Sequence, residues 1–310
     1  MIALWMSSAL ATSGPWVVGA REVNVYVGLD TQRLDRLQIQ GEGGRDAQVI
    51  DVGEGLSTLG FKGIATIGVA NRVDLELTVP WFRTIANRPD SELCATLGLD
   101  ACETTQGIGV ITARAKVLVL DQIAGKPFSL SVIGVGRLGM FTHPTRARIT
   151  NLGEGTQDLG LSVSAGRDGV LGNQGFWSSY VDLGFVYRIP NTDSYPQLQG
   201  DQIAPHEEYT AFGELVFSPR LRYGFGPTVG GFLRPRGVDF LDADLTDPDR
   251  LAALRVGNLK VGGTLIVRAD SGFSASMQFQ RSVYAFNNPY TTIVTAGVSF
   301  QGRAKDPNAP

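Results

Sequence analysis

The chain has 310 residues, 43 % of them hydrophobic and only 18 % charged, with 39 glycines and a net charge of −3. That length fits one large or two small domains. The negative balance excludes the basic footprint a nucleic-acid partner needs, and no run of about 18 uninterrupted apolar residues offers a membrane-spanning helix.

The N-terminus, "MIALWMSSALATSGPW", carries a short apolar stretch and Ala9, Leu10, Ala11, a pattern like a signal-peptidase site, but no basic n-region. Residues 1–15 are therefore expected to be a truncated export signal, with an ordinary tail as the alternative. Gly14, Pro15 and Trp16 suit a tight bend at a rim, and the segment before Val17 is a candidate to fold inward as a plug.

Beyond it, apolar and polar residues alternate with period two. In "LGFKGIATIGVA", Leu59, Phe61, Ala65, Ile67 and Val69 oppose Lys62 and Thr66. "VDLELTVPWF" sets Val73, Leu75, Leu77, Val79 and Trp81 against Asp74, Glu76, Thr78, Pro80 and Phe82. The pattern recurs in "ITARAKVLV", "FSLSV", "LGLSVSA", "NQGFWSSYVDLGFVYRIPN" and "FSASMQFQ". Such alternation marks strands with two unlike faces. About twelve such strands are counted, most of about ten residues or more, the length a tilted strand needs to cross a bilayer.

Short connections rich in Gly, Pro, Asn and Asp are read at Asn71 and Arg72, at Gly125 to Pro127, at Ser218 to Arg220 and at Asp270 to Gly272. Long ones are read at 32–50, 86–105, 143–155, 190–207 and 235–257. Their alternation puts short turns at one rim and long loops at the other, as in outer-membrane barrels. Two irregularities stand out: "RDGVLGNQ" is a long turn for the short rim, and the loop at Asn287, Asn288 and Pro289 is short for the long rim.

A twelve-strand barrel is too wide for one layer of Ala, Val and Leu to fill. The apolar faces are therefore expected outside, against lipid. Aromatics near strand ends, Trp81, Trp177, Tyr187, Phe217, Tyr223, Phe273, Tyr290 and Phe300, are read as girdles at the two water–lipid interfaces. Lys62, Asp74, Glu76, Arg114, Lys116, Arg137, Asp182, Arg188, Glu214, Arg222, Lys260 and Arg268 are the lumen-facing candidates. Their mixed signs do not form the single-sign ring of a selective pore. Arg281 falls on the apolar face; it either reaches the outer interface or is turned inward by a bulge.

Cys94 and Cys102 are expected to form a local disulfide, since they lack the further ligands of a zinc site. His143 and His206 are read as solvated loop residues. Among Asp239, Asp242, Asp244, Asp247 and Asp249, the last two also suit the start of a capped helix at "DPDRLAALR", which competes with a calcium site.

"SGPWVVGAREVNVYVG" supplies Gly14, Pro15, Trp16 and Gly19, and "LGEGTQDLGLSVSAGRDG" supplies Gly153, Gly155, Asp158, Gly160 and Leu161. In these motifs the chain resembles a Gly-rich family of outer-membrane transporter-like proteins associated with the phenol meta-degradation pathway. The resemblance implies a barrel of twelve or so strands that passes small, often hydrophobic, compounds. It carries over no catalytic residue. Such barrels commonly end on an aromatic residue; here Phe300 precedes the tail "QGRAKDPNAP".

The expectation is an all-β protein with one antiparallel transmembrane up-and-down barrel over 16–301 and a tail over 302–310. Its expected function is a channel for small, hydrophobic or aromatic solutes, with outer-membrane lipid and lipopolysaccharide as neighbours and no cofactor, metal or catalytic residue. A closed structural or adhesion barrel and a lipid-modifying enzyme are the alternatives.

Overall fold

The structure, a computed structural model, describes residues 14–39, 48–86, 104–139, 156–172, 175–190, 207–220, 222–237, 255–269 and 272–303. Every regular element among them is a strand. β1 (Glu22–Ile39) and β2 (Gln48–Ala70) open the chain as a long hairpin. The connection read as 32–50 shortens to 40–47, because residues 32–39 continue to pair with β2 beyond a bulge after Leu34.

β3 (Val73–Ala86) pairs with both β4 (Thr105–Ile108) and β5 (Ile111–Leu120). Pro80 explains the break between them. It has no N–H to donate, so the ladder is interrupted there, and Gly109 N–H donates to the Pro80 carbonyl at 3.0 Å. β4 and β5 are thus two parts of one wall strand, and thirteen elements make a wall of twelve.

The wall continues through β6 (Ser129–Leu138), β7 (Thr156–Leu171), β8 (Gly175–Pro190), β9 (Glu208–Arg220), β10 (Tyr223–Arg234), β11 (Val256–Arg268), β12 (Phe273–Phe286) and β13 (Asn288–Arg303), each antiparallel to the last. β13 returns to β1, from Glu22 opposite Arg303 to Gln38 opposite Asn288. The sheet is therefore a closed up-and-down barrel.

Residues 71–72, 121–128, 172–174, 221–222 and 269–272 connect strands at one rim. Residues 40–47, 87–104, 139–155, 191–207 and 235–255 connect them at the other. The long turn expected at "RDGVLGNQ" is not long: β7 runs on to Leu171, and Gly172 turns the chain at φ 63°. The turn expected at Ser218 to Arg220 lies later, at 221–222, because those residues complete β9. Asn287 alone joins β12 to β13 at φ 47°, a left-handed conformation Asn tolerates; its side-chain amide donates to the Arg255 carbonyl at 2.9 Å.

β8 shows which face points where. Val181, Leu183, Phe185 and Tyr187 are 50 %, 58 %, 42 % and 60 % exposed, while Tyr180, Val186 and Arg188 are buried. The same inversion holds around the wall, with Lys62, Asp74, Glu76, Thr66 and Gln278 inside and Val27, Leu75, Leu161 and Leu265 outside. Outward aromatics collect at two levels. Toward the long connections lie Phe61 with Trp81 (ring centroids 5.9 Å apart) and Phe185 with Tyr209 (5.5 Å). Toward the short turns lie Tyr223, Trp177, Phe217 and the Phe273–Phe300 pair at 4.8 Å. Trp177 and Tyr187 share a face ten residues apart. At about 3.3 Å per residue and a tilt of about 40°, that separates the two levels by about 25 Å, the height of a transmembrane apolar band.

Arg281 points outward, exposed between buried Gln280 and Ser282. The bulge in β12 follows it, at Val283, and does not turn it inward. β13 extends past the expected limit of 301 to Arg303, where it still pairs with Glu22.

This wall predicts a depth-dependent penalty for charge. Leu183→Arg should destabilise the barrel by about 2–4 kcal/mol in lipid vesicles, and Tyr187→Arg by about 0–1 kcal/mol. Reversible urea titration in vesicles checks both, and equal small effects would contradict a lipid-facing wall.

Candidate functional site

Since side chains alternate across the wall, charged residues of one parity converge inside. Toward the long connections, five neighbouring strands contribute Arg137, Asp158, Arg188, Glu208 and Arg234 in turn. Arg137 faces Asp158 at 3.7 Å and Glu208 at 3.2 Å. Arg234 Nε and Nη2 donate to Glu208 Oε2 at 2.9 and 2.8 Å. Arg188 is the register partner of Asp158 and lies within electrostatic reach of Glu208. The signs alternate strand by strand, so each charge sits beside its opposite.

Lower in the lumen, Lys62 pairs with Asp30 at 3.6 Å, and the Thr295 hydroxyl donates to the same carboxylate. Arg114 faces Glu76 at 3.7 Å. Asp182 lies opposite Ser164, and Glu214 opposite Tyr180 and near Thr264. The lining of β11, β12 and β13 is mainly uncharged, with Thr264, Gln278, Gln280, Ser282, Thr291 and Thr295 buried beside a single lysine, Lys260.

Residues 14–19 lie inside the barrel at the short-turn rim. Lys116 Nζ donates to the carbonyls of Gly14 (3.0 Å) and Trp16 (3.1 Å), and the Ser131 hydroxyl donates to that of Pro15. Val18 N–H donates to Asp74 Oδ2 at 3.3 Å. The Trp16 side chain hydrogen-bonds Asp168 and meets the Tyr180 ring edge-on at 6.0 Å. The segment thus lies against the inner faces of the consecutive wall strands from β3 to β8. Two glycines make its path possible. Gly14 turns at φ 81°, and a Cβ at Gly68 would lie 2.1 Å from the Gly19 carbonyl.

Of the twelve lumen candidates, Lys62, Asp74, Glu76, Arg114, Lys116, Arg137, Asp182, Arg188, Glu214, Lys260 and Arg268 lie on the inward face. Arg268 lies toward the short-turn rim, over the Phe176 ring at 5.1 Å and donating to Ser218 Oγ at 3.2 Å. Arg222 is the exception: it is exposed in the turn between β9 and β10, because β9 continues through Arg220. Asp30, Asp168, Glu208 and Arg234 were not singled out from the sequence. The alternation of their strands carries their position, but isolated charges near strand ends also look like loop residues. Cys94, Cys102, His143, His206 and the acidic stretch Asp239, Asp242, Asp244, Asp247 and Asp249 lie outside the described residues.

No family model and no curated protein matches the chain. Solved structures do. An outer membrane channel from Pseudomonas putida F1 superposes with a TM-score of 0.64 at 14 % identity, covering 94 % of this chain and 99 % of its own. The β domain of a Bordetella autotransporter gives 0.46 at 11 % identity over 91 % and 100 %. A NanC porin gives 0.45 at 7 % identity over 90 % and 98 %. At these identities the likeness is one of fold, and only the first superposition is close enough to carry it: the chain has the barrel fold of an outer-membrane channel.

The ladder predicts that Glu208 holds two arginines in place. Glu208→Ala leaves Arg137 and Arg234 without their shared carboxylate and should destabilise the barrel by about 3–5 kcal/mol, the usual cost of breaking a buried pair from one side. Urea titration of the refolded protein, read by tryptophan fluorescence, measures the loss.

Proposed function

We propose that the chain is a channel of the bacterial outer membrane that passes small hydrophobic or aromatic molecules, with its short-turn rim in the periplasm. The observation that carries this reading is an inside-out barrel with its own residues 14–19 held in the lumen against the strands from β3 to β8. The inward charges have both signs, so strong ion selectivity is not proposed. An aromatic row lines the route beside the segment, with Trp16 next to Tyr180 at 6.0 Å and Tyr180 next to Phe212 at 5.8 Å. These rings offer apolar contact inside an otherwise polar lumen. Together with the resemblance to transporter-like proteins linked to phenol degradation, they support the proposed solute class.

The same segment favours a second reading, a closed barrel that works through its outer connections. Anchoring by Lys116 and Ser131 distinguishes the two. In planar bilayers the native protein is expected to show small conductance steps, reduced by an aromatic solute such as phenol. Lys116→Ala combined with Ser131→Ala removes three hydrogen bonds to the segment and should enlarge the steps. Absence of conductance in both proteins, with the barrel inserted, favours the closed reading.

A further inference from the structure

Lys260 differs from the other inward cations. Lys62 faces Asp30, Lys116 holds the carbonyls of Gly14 and Trp16, Arg114 faces Glu76, and Arg137 and Arg234 share Glu208. Lys260 is 7 % exposed and points into the lumen from β11, between outward Leu259 and Val261. Among the described residues it makes no hydrogen bond or ion pair, and no charged group lies within its electrostatic reach. Its register partners are Gly230 on β10 and Ser282 on β12, both uncharged. The Ser282 hydroxyl is already engaged with Asn258 and Thr291. A buried ammonium without an anion destabilises the wall that carries it, and an anion visiting the lumen would relieve that cost.

An aromatic row leads to this ammonium. The rings of Trp16, Tyr180 and Phe212 follow one another at 6.0 and 5.8 Å, starting from the short-turn rim. Phe212 is the register partner of Gly230, which pairs in turn with Lys260. The Phe212 ring lies over Gly230, where an added Cβ would stand 2.6 Å from it. No side chain of β10 therefore separates Phe212 from Lys260 in that row.

We infer that Lys260, Phe212 and Tyr180 form a binding site for small aromatic carboxylates, with the arene on the two rings and the carboxylate on the ammonium. This narrows the solute class of the channel proposed above and rests on that reading for the route of passage. The ammonium offers three N–H donors and a full charge to a carboxylate. The rings offer the apolar contact on which such a ligand spends most of its surface. Asp182 is the register partner of Phe212, and Glu214 that of Tyr180. Acidic groups thus flank the arene end of the site, so the ligand that fits carries its negative charge only at the Lys260 end. A neutral phenol lacks the charge that Lys260 would meet, and a short aliphatic acid lacks the ring.

The test titrates the full chain, folded in detergent, with para-fluorobenzoate, para-fluorophenol and para-fluorobenzylamine at neutral pH. Binding is read by fluorine NMR against protein-free micelles. The native protein should bind para-fluorobenzoate more tightly than either of the other two. Lys260→Met should weaken para-fluorobenzoate by about tenfold or more and leave para-fluorophenol within about twofold. Lys260→Arg should keep the preference, and Phe212→Leu should weaken para-fluorobenzoate and para-fluorophenol alike. A heat-modifiable gel shift confirms that each variant is a folded barrel. Equal or tighter binding of the phenol or the amine by the native protein, or undiminished binding of para-fluorobenzoate by folded Lys260→Met, would overturn the site. Planar-bilayer conductance reports on the channel reading separately. Native protein that conducts without preferring the carboxylate overturns the site alone, whereas protein that prefers the carboxylate without conducting supports the site and removes the channel.

Discussion

The need to pair every backbone N–H and C=O inside hydrocarbon governs this molecule. Each unpaired group there costs several kcal/mol, and a sheet satisfies them all only when it has no edge. β1 therefore has to meet β13 as well as β2, and it does so along nearly its whole length. The strand count, the antiparallel order and the separation of two rims all follow from that closure. Prolines show the same constraint from the other side. At Pro80 the ladder breaks and resumes, which divides one wall strand into β4 and β5. At Pro227 the ladder to β9 skips a step, and the neighbouring Gly226 admits the Leu215 carbonyl so closely that a Cβ would lie 1.7 Å from it.

Closure turns the usual relation between side chain and environment inside out. The apolar face looks outward, so the polar face is confined to a narrow lumen where charges have little water. They are tolerated because neighbours across the wall are close enough to pair, as the ladder from Arg137 to Arg234 shows. Pairing of this kind orders the inner wall more than it stabilises it, since much of the Coulomb gain offsets lost hydration. The N-terminal segment fits the same logic. The carbonyls of Gly14, Pro15 and Trp16 take hydrogen bonds from lumen side chains, with Lys116 and Ser131 as donors.

The inner and outer charges serve different neighbours. Inside, acids and bases interleave. Outside, exposed arginines such as Arg281 stand on the apolar face toward the long connections.

Period two was enough to read from the sequence that the chain is a barrel, that its apolar faces point outward and that Asp182 and Arg188 point in, because parity along a strand needs no knowledge of its neighbours. The alternation of short and long connections likewise placed the two rims. The sequence was less informative wherever the answer depends on which strand lies beside which. Register set the true ends of β1, β7 and β9, put Arg222 in a turn and brought Asp158, Glu208 and Arg234 into one network. Residues 14–19 showed a tight bend in the sequence, but the Val18 N–H and the carbonyls of Gly14, Pro15 and Trp16 bond residues 56 to 116 positions away. Contacts at that distance are created by closing the barrel, and only the tertiary structure decides them.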